Sequence, residues 1–169
     1  MIEAWFDGCC EPKNPGGHAA YGALVKIDGQ TVFSEGKYVC GGPTASNNVA
    51  EYSGILALLR WIEANAGEEC KQITIRGDSK LVINHLAGKW NTNCTNCGNP
   101  LKRCFCGKKT PGLYFPYYEQ ARDLFAVLNR RHKIKLQWVP RDENSICDVL
   151  SKAVLKDRGV KFRIQPEVA

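Results

Sequence analysis

The chain has 169 residues, of which 44% are hydrophobic and 24% charged, a composition typical of one soluble globular domain with a buried core. No apolar run approaches the length of a membrane span and no secretory signal follows Met1, which excludes a transmembrane protein and predicts a cytoplasmic one with reduced thiols. The nine cysteines, an odd number, fit poorly with a complete disulfide framework, and the net charge of +6 favours a polyanionic partner.

The first half of the chain predicts three strands and a long helix. The segments IEAWFDG, AYGALVKI and QTVFSEGKYVC are β-rich, and PKNPGG and DG supply turn chemistry between them. SNNVAEYSGILALLRWIEANAG then carries apolar residues at helical spacing. Ser46 or Asn47 is the predicted cap of this helix, and Gly67 its predicted end.

The second half alternates between helices and strands. QITIRGD predicts a fourth strand, SKLVINHLAGKW a helix capped by Ser79, YYEQARDLFAVLNRR another helix, KIKLQWV a fifth strand, and NSICDVLSKAVL a last helix capped by Asn144 or Ser145. In the tail, VKFRI fits either a strand or disorder. This order predicts an α/β fold in which helices flank one five-stranded mixed sheet.

Four acidic residues stand at the ends of predicted elements. Asp7 follows the apolar part of the first strand, Glu51 lies in the opening turn of the long helix, Asp78 ends the fourth strand, and Asp148 lies near the start of the last helix. Each alone has an ordinary explanation, since aspartate is common in turns and acidic residues suit helix N-termini.

Taken in order, the surrounding blocks WFDG, SNNVAEY, IRGDS and WVPRDENSICDVLSKA resemble the four signature blocks of the type 1 ribonuclease H family. The resemblance spans about residues 1–155 and implies a ribonuclease H-like domain there, followed by a tail at 156–169. It also implies two Mg²⁺ or Mn²⁺ ions held by the four carboxylates, with Asp7 as the bridging ligand. The implied reaction is endonucleolytic hydrolysis of the RNA strand of an RNA–DNA hybrid. Nothing in the sequence pattern demands more than a monomer.

The resemblance extends to residues that contact the substrate. Asn47 and Asn48 match the family's asparagine pair, whose amides read the minor groove of the hybrid. The other implied contacts are Gly8, Cys10, Asn14, Ser46, Ser79, Arg141 and Asn144. The loop VPRDENSICD lacks the histidine that many members carry, so Arg141 and Glu143 are the available substitutes; His18, His85 and His132 are predicted to be ordinary surface or partly buried residues.

An unusual cysteine segment interrupts the pattern at residues 91–112. Cys94, Cys97, Cys104 and Cys106 follow the spacing C-x2-C-x6-C-x-C, which suits a tetrahedral structural Zn²⁺ site. A segment rich in asparagine and glycine has no core of its own, so it needs a staple. A disulfide pair, an iron–sulfur cluster and unpaired reactive thiols are the alternatives.

The positive charge is concentrated around this insert. No acidic residue lies between positions 79 and 118, whereas six basic residues do, and the other 17 of the 23 basic residues balance the 17 acidic ones. These six are Lys80, Lys89, Lys102, Arg103, Lys108 and Lys109. Such a lobe is typical of a nucleic-acid binder, and Trp90 at its base would stack on a nucleotide or pack as a hinge.

The insert stands where the family has a basic handle that grips the DNA strand, so we expect a zinc-stapled replacement for that handle. Two other functions remain open: a non-catalytic nucleic-acid binder on the same fold, and a nuclease of this fold that acts on another nucleic acid.

Overall fold

The computed structural model describes residues 1–164, and its elements follow the predicted order. The strands are β1 (Ile2–Glu11), β2 (His18–Ile27), β3 (Gln30–Gly41), β4 (Gln72–Gly77) and β5 (Lys133–Trp138). They form one sheet in the order β3-β2-β1-β4-β5, in which β1, β2 and β3 are antiparallel neighbours and β4 and β5 run parallel to β1. The predicted five-stranded mixed sheet is confirmed.

Four α-helices flank the sheet. They are α1 (Asn47–Asn65), α2 (Lys80–Leu86), α3 (Phe115–Arg131) and α4 (Ser145–Asp157). Ser46 caps α1, because its Oγ accepts a hydrogen bond from the backbone N–H of Val49 at 3.1 Å. The helix ends at Asn65, two residues before the Gly67 that the sequence predicted as its end, and α2 stops at Leu86, well before Trp90.

Glycines show which helix covers which face of the sheet. A Cβ on Gly8 would lie 2.6 Å from the carbonyl carbon of Ala50 in α1. A Cβ on Gly36 would lie 2.6 Å from the carbonyl oxygen of Leu150 in α4, and Gly22, its register partner, also faces α4. Neighbouring residues of a strand point to opposite faces, and Gly22 pairs with Asp7, so α1 and α4 lie on opposite faces.

The topology brings the candidate acidic residues to one edge of the sheet. Strands β1, β3, β4 and β5 all run in the same direction, so their carboxyl ends lie along one edge. Because α1 follows β3 and α4 follows β5, both helices begin near that edge. Open α/β sheets bind ligands at this position.

The insert and the tail are irregular. Between α2 and α3, the insert has one isolated bridge between Asn93 and Pro100 and a short 3-10 turn at Leu101–Arg103. In the tail, residues 158–164 form no strand, and the rest of the segment lies outside the described residues. Among residues 1–164, no helix combines the length and the apolar character needed to cross a bilayer.

Candidate active site

Three of the four predicted acidic residues meet at the edge of the sheet. Asp7, Glu51 and Asp78 each place a carboxylate oxygen so that all three oxygens lie within 4.8 Å of one another. Asp7 and Glu51 are each only 5% exposed. Glu51 is the fifth residue of α1, one position beyond the opening turn in which the sequence placed it.

The close approach of β1 to α1 makes this cluster possible. The missing side chain of Gly8 leaves room for the backbone of Ala50 and Glu51, so Glu51 reaches the end of β1. Asp78 arrives from the neighbouring strand, because Phe6 pairs with Gly77 in the parallel register of β1 and β4. A side chain at position 8 would force the strand and the helix apart.

Neighbouring amides orient the three carboxylates. The Gly8 N–H donates to Asp7 Oδ1 at 2.9 Å, and Asn47 Nδ2 donates to Glu51 Oε1 at 3.3 Å. Asn144 Nδ2 donates both to the Phe6 carbonyl at 2.8 Å and to Asp78 Oδ1 at 3.1 Å. Asn144 stands at the N-cap position of α4, but its side chain ties that helix to β1 and β4 instead of capping it.

The electrostatics of the cluster favour a bound cation. Burial and the nearby charges of Asp78 and Asp148 raise the pKa of Asp7 to about 8. Burial, together with Asp7 and Asp78, also raises the pKa of Glu51 well above its ordinary value. Glu51 Oε2 is buried without a hydrogen-bond partner among the described residues. Hard oxygen ligands of this kind suit Mg²⁺ or Mn²⁺, so these residues fit the divalent ions that the resemblance implies.

Asp148 lies beside this cluster but outside the group of three. Its Oδ2 forms an ion pair with Lys152 Nζ at 2.7 Å, one turn further along α4. It is close enough for its charge to raise the pKa of Asp7. Arg141 also approaches the cluster, with Nε 3.4 Å from Asp78 Oδ2 and a side chain that is 84% exposed.

Four of the predicted substrate contacts line a groove of about 580 Å³ next to the carboxylates. Its lining includes Asp7, Gly8, Cys10, Asn47, Arg141 and Asp148. Asn14 lies close by, because its Oδ1 accepts a hydrogen bond from the Asn47 N–H at 2.9 Å. Asn48 is partly exposed on the same turn of α1. Ser46 and Ser79 are engaged as helix caps, Ser79 Oγ accepting from the Val82 N–H at 3.4 Å.

The four predicted cysteines also come together. Their sulfur atoms lie within 4.8 Å of one another, with three separations of 3.3, 3.6 and 3.9 Å. Zn–S bonds of about 2.3 Å in tetrahedral geometry place sulfurs about 3.8 Å apart, so the cluster fits a Zn²⁺ ion. The Thr110 N–H donates to Cys94 Sγ at 3.3 Å and, together with the backbone N–H groups of Asn96 and Cys97, lowers the pKa of that thiol to about 6. Positive φ angles at Gly98 and Gly107 form the turns after Cys97 and Cys106.

The cations of the insert are exposed, and so is an aromatic residue that the sequence analysis did not single out. Lys102, Arg103, Lys108 and Lys109 all face solvent. Phe105, between two of the cysteines, is 94% exposed. Trp90 is half exposed and meets the ring of His85 edge-on, with a centroid separation of 6.4 Å.

Two histidine predictions are wrong. His85 and His132 are buried rather than partly buried or exposed. His85 Nδ1 lies 2.7 Å from the Tyr52 hydroxyl, and its Nε2 lies 3.2 Å from the Asn91 carbonyl. His132 Nδ1 lies 2.7 Å from the Cys70 carbonyl. These contacts satisfy the hydrogen-bonding nitrogens of the two buried rings. Helical periodicity alone did not predict that either ring is buried.

Sequence reasoning also missed residues in the wall of the groove. Glu11, Lys152 and Arg163 line it together with the predicted residues. The ion pair of Lys152 with Asp148 could have been predicted from the sequence, because the two residues are four positions apart on a predicted helix. Glu11 and Arg163 carried no such signal, because they are 152 residues apart in the chain.

Comparison with known proteins gives relatives of greater length. No family model matches the chain. The bifunctional protein Rv2228c of Mycobacterium tuberculosis is 34% identical over 139 residues, which covers 82% of this chain and 31% of that protein. The ribonuclease HI of Halobacterium salinarum is 42% identical over 92 residues, covering 54% of this chain and 43% of that protein. The chain thus spans less than half the length of these relatives.

Solved structures match nearly the whole chain. The RNase H1 of the archaeon Halobacterium salinarum superposes with a TM-score of 0.66 and 28% identity, covering 92% of this chain and 98% of that one. The N-terminal RNase H domain of Rv2228c gives a TM-score of 0.68 at 22% identity, and the match covers 94% of this chain and 97% of that domain's chain. LC11-RNase H1, solved in complex with an RNA/DNA hybrid, gives a TM-score of 0.67 at 17% identity, and the match covers 94% of this chain and 99% of that one. The last two likenesses show a shared fold alone.

Proposed function

We propose that this chain, which has the fold of the type 1 ribonucleases H and resembles them in sequence, is an endoribonuclease that cuts the RNA strand of RNA–DNA hybrids. The products are 5′-phosphate and 3′-hydroxyl ends. One chain is sufficient for the reaction, because all four acidic residues belong to it.

The observation that carries the proposal is the convergence of Asp7, Glu51 and Asp78 within 4.8 Å at the carboxyl ends of the strands. Two of these carboxyl groups are buried, and their burial, together with the charges of the neighbouring carboxylates, raises their pKa values. A protein that only bound nucleic acid would gain nothing from acidic groups facing phosphates. The arrangement therefore supports a catalytic centre over the non-catalytic alternative.

Asp7, Glu51, Asp78 and Asp148 would hold two Mg²⁺ or Mn²⁺ ions, with Asp7 as the bridging ligand. When bound, such ions would supply an activated water for attack on the phosphodiester and positive charge to stabilise the departing 3′-oxygen. Asp7 suits the bridging role because it lies on β1, the central strand of the sheet. Asn144 keeps Asp78 in place through its bond to Oδ1, and Asn47 does the same for Glu51.

Recognition of the hybrid would involve one set of residues that reads the minor groove and another residue that contacts a phosphate. Asn47 and Asn48, with the backbone of Gly8 and Cys10, would read the minor groove, where the 2′-hydroxyl distinguishes RNA from DNA. Arg141 would contact a phosphate from its exposed position beside Asp78. These residues belong to the proposed domain at positions 1–155.

The insert at residues 91–112 would replace the family's handle, stapled by Zn²⁺ on Cys94, Cys97, Cys104 and Cys106. The sulfur separations of 3.3 to 3.9 Å support this assignment. Its exposed cations, together with Lys80 and Lys89 on the segment before it, would contact phosphates of the DNA strand and give affinity with little sequence preference.

One assay tests the proposal against its alternatives. The protein is incubated with end-labelled RNA–DNA hybrid, double-stranded RNA and double-stranded DNA, each with Mg²⁺, with Mn²⁺ or with EDTA. We expect cleavage of the RNA strand of the hybrid alone, and only with a divalent ion. Cleavage of another duplex would assign a different nuclease activity, and binding without cleavage would leave a nucleic-acid-binding module.

A further inference from the structure

The segment that follows α4 lies along the end of β1 and forms one wall of the groove. Phe162 packs against a small buried cluster that includes Cys9 and Leu155. The Arg158 guanidinium lies 3.8 Å from the centroid of the Tyr38 ring. Residues 162–164 then line the same groove as Asp7 and Asp148. The segment is therefore anchored to the body of the domain where it reaches the site.

Arg163 makes a set of directed contacts with the last two residues of β1. Its Nε donates to Glu11 Oε2 at 3.0 Å, and its backbone N–H donates to the same oxygen at 3.1 Å. Its Nη2 donates to the Cys10 carbonyl at 3.1 Å and lies 3.4 Å from Glu11 Oε1. The Glu11 side chain is only 17% exposed. A forked guanidinium bound in this way fixes direction as well as charge.

These contacts lie at the end of β1, just before a turn that is already held at its other end. Between β1 and β2, the Asn14 side chain binds the N–H of Asn47 at 2.9 Å, and the Gly16 N–H binds the Ala45 carbonyl at 2.9 Å. Both bonds fix the far side of the turn to the start of α1. Arg163 supplies the corresponding anchor on the near side, where the backbone of Cys10 adjoins the carboxylates.

From this geometry we infer that Arg163 is a positioning residue: it holds the turn between β1 and β2 in the orientation that receives the RNA strand. The inference rests on the proposed function, which assigns the backbone of Gly8 and Cys10 to that strand. Arg163 acts through Glu11 and Cys10 and not through a phosphate, because its Nε and Nη2 are directed at those two residues. The C-terminal segment thereby becomes part of substrate recognition.

The test compares four variants of the full chain with the parent enzyme: Arg163→Ala, Arg163→Lys, Glu11→Gln and Lys161→Ala. The last is a matched control, because Lys161 is an exposed cation two residues away that does not line this groove. Steady-state KM, single-turnover rate and thermal unfolding are measured for each variant on the same hybrid.

We expect Arg163→Ala to raise KM about five- to tenfold while the single-turnover rate stays within about twofold. Arg163→Lys restores part of the loss, since an ammonium group reaches one acceptor but not both. Glu11→Gln has a similar effect, and the double variant Arg163→Ala/Glu11→Gln shows less than the sum of the two. Lys161→Ala leaves KM unchanged.

Three outcomes would overturn the inference. Equal effects of Arg163→Ala and Lys161→Ala would show that only net charge matters. A fall in unfolding temperature without a change in KM would show a purely structural contact, and a rise in kcat/KM would show that the segment covers the site. A parent enzyme that does not cut hybrids would contradict the proposed function instead, so the two failures are distinguishable.

Discussion

The carboxylate cluster and the cysteine cluster are both candidate metal sites, but they are built in opposite ways. Asp7, Glu51 and Asp78 come from three elements spread over 72 residues of chain, and two of them are buried. The cysteines come from one segment of 13 residues, in which only Cys94 is fully buried. The first site is a product of the whole fold, whereas the second is local.

The thiols show the same contrast. Burial raises the pKa of Cys9, beside the carboxylates, to about 11, so this thiol stays protonated and serves as packing. In the insert, hydrogen bonds replace burial as the main influence: backbone N–H groups, that of Thr110 foremost, lower the pKa of Cys94 to about 6, and hydrogen bonds also lower the pKa of Cys106. The pKa of Cys104 is raised, because its thiol is hydrogen-bonded to the neighbouring sulfurs. A lowered pKa favours the thiolate that a metal binds. The sheet therefore holds its acidic groups together despite their like charges, whereas the insert would depend on the proposed zinc ion for its shape.

Replacing Asp7 by Asn is the strongest way to test the first half of this comparison. We expect a loss of hybrid cleavage of about 10³-fold or more, because the proposed bridging ligand is removed, while the fold remains intact. Single-turnover cleavage with Mg²⁺ measures the loss, and circular dichroism verifies the fold.

Asp28→Asn is the matched control for that substitution. Asp28 is exposed in the turn between β2 and β3, where it pairs with the N-terminal amine at 2.7 Å, and asparagine tolerates its positive φ. This variant is expected to keep full activity. An Asp7→Asn enzyme that cut hybrids as fast as the parent would remove the basis of the proposed function.

The double variant Cys94→Ser/Cys97→Ser tests the second half. We expect bound zinc to fall from about one ion per chain to none, with the unfolding of the sheet domain changed little, because the insert contributes little to the main core. The KM for hybrid should rise about five- to tenfold at low salt, and the dependence of KM on salt should become shallower. Metal analysis and a salt series measure both effects.

Cys70→Ser is the control, since Cys70 is partly buried and lies outside the cysteine cluster. If zinc is lost while KM and its salt dependence stay the same, the insert is a structural addition and not a handle. If the whole domain unfolds, the insert is not the independent unit that its local contacts indicate.

The sequence predicted most where the signal is local. The elements of the sheet, the Ser46 cap of α1 and the cysteine spacing all follow from neighbouring residues, and the structure has them. The meeting of Asp7 and Asp78 depends on the parallel pairing of β1 with β4, which no local pattern specifies. Only the resemblance of ordered sequence blocks indicated it.

Long-range contacts without periodicity were beyond such reasoning. The bond between Arg163 and Glu11 joins a segment with no assigned structure to the end of the first strand. The burial of His85 depends on the rings of Tyr52 and Tyr114, which reach it from α1 and from the residue before α3. Tertiary packing determines both the Arg163–Glu11 bond and the burial of His85. The hydrophobic pattern of a single helix or strand does not predict such packing.

The smallest expected effect is the pH dependence of stability in buffer without added Mg²⁺ or Mn²⁺. The carboxylate cluster and the zinc-bound cysteine cluster are expected to change stability with pH in opposite directions. The pKa of Asp7 is raised to about 8, so between its ordinary value near 4 and pH 8 the folded chain binds more protons than the unfolded chain. The free energy of unfolding contributed by this group therefore falls as pH rises through that range. Zinc on thiolates acts in the opposite direction, since its binding strengthens as pH rises.

We expect the melting temperature to fall by about 3–6 °C between pH 5.5 and 8.5, and Mg²⁺ to reverse the fall at pH 8.5. Asp7→Asn should flatten the pH profile, because it removes the group whose proton is lost, while Cys94→Ser/Cys97→Ser should leave the fall intact or enlarge it. Calorimetry of the three proteins at matched pH values measures these differences. A parent profile that rises with pH, or an Asp7→Asn profile as steep as the parent's, would show that the carboxylates are not held together against their repulsion, and the contrast between the two sites would fail.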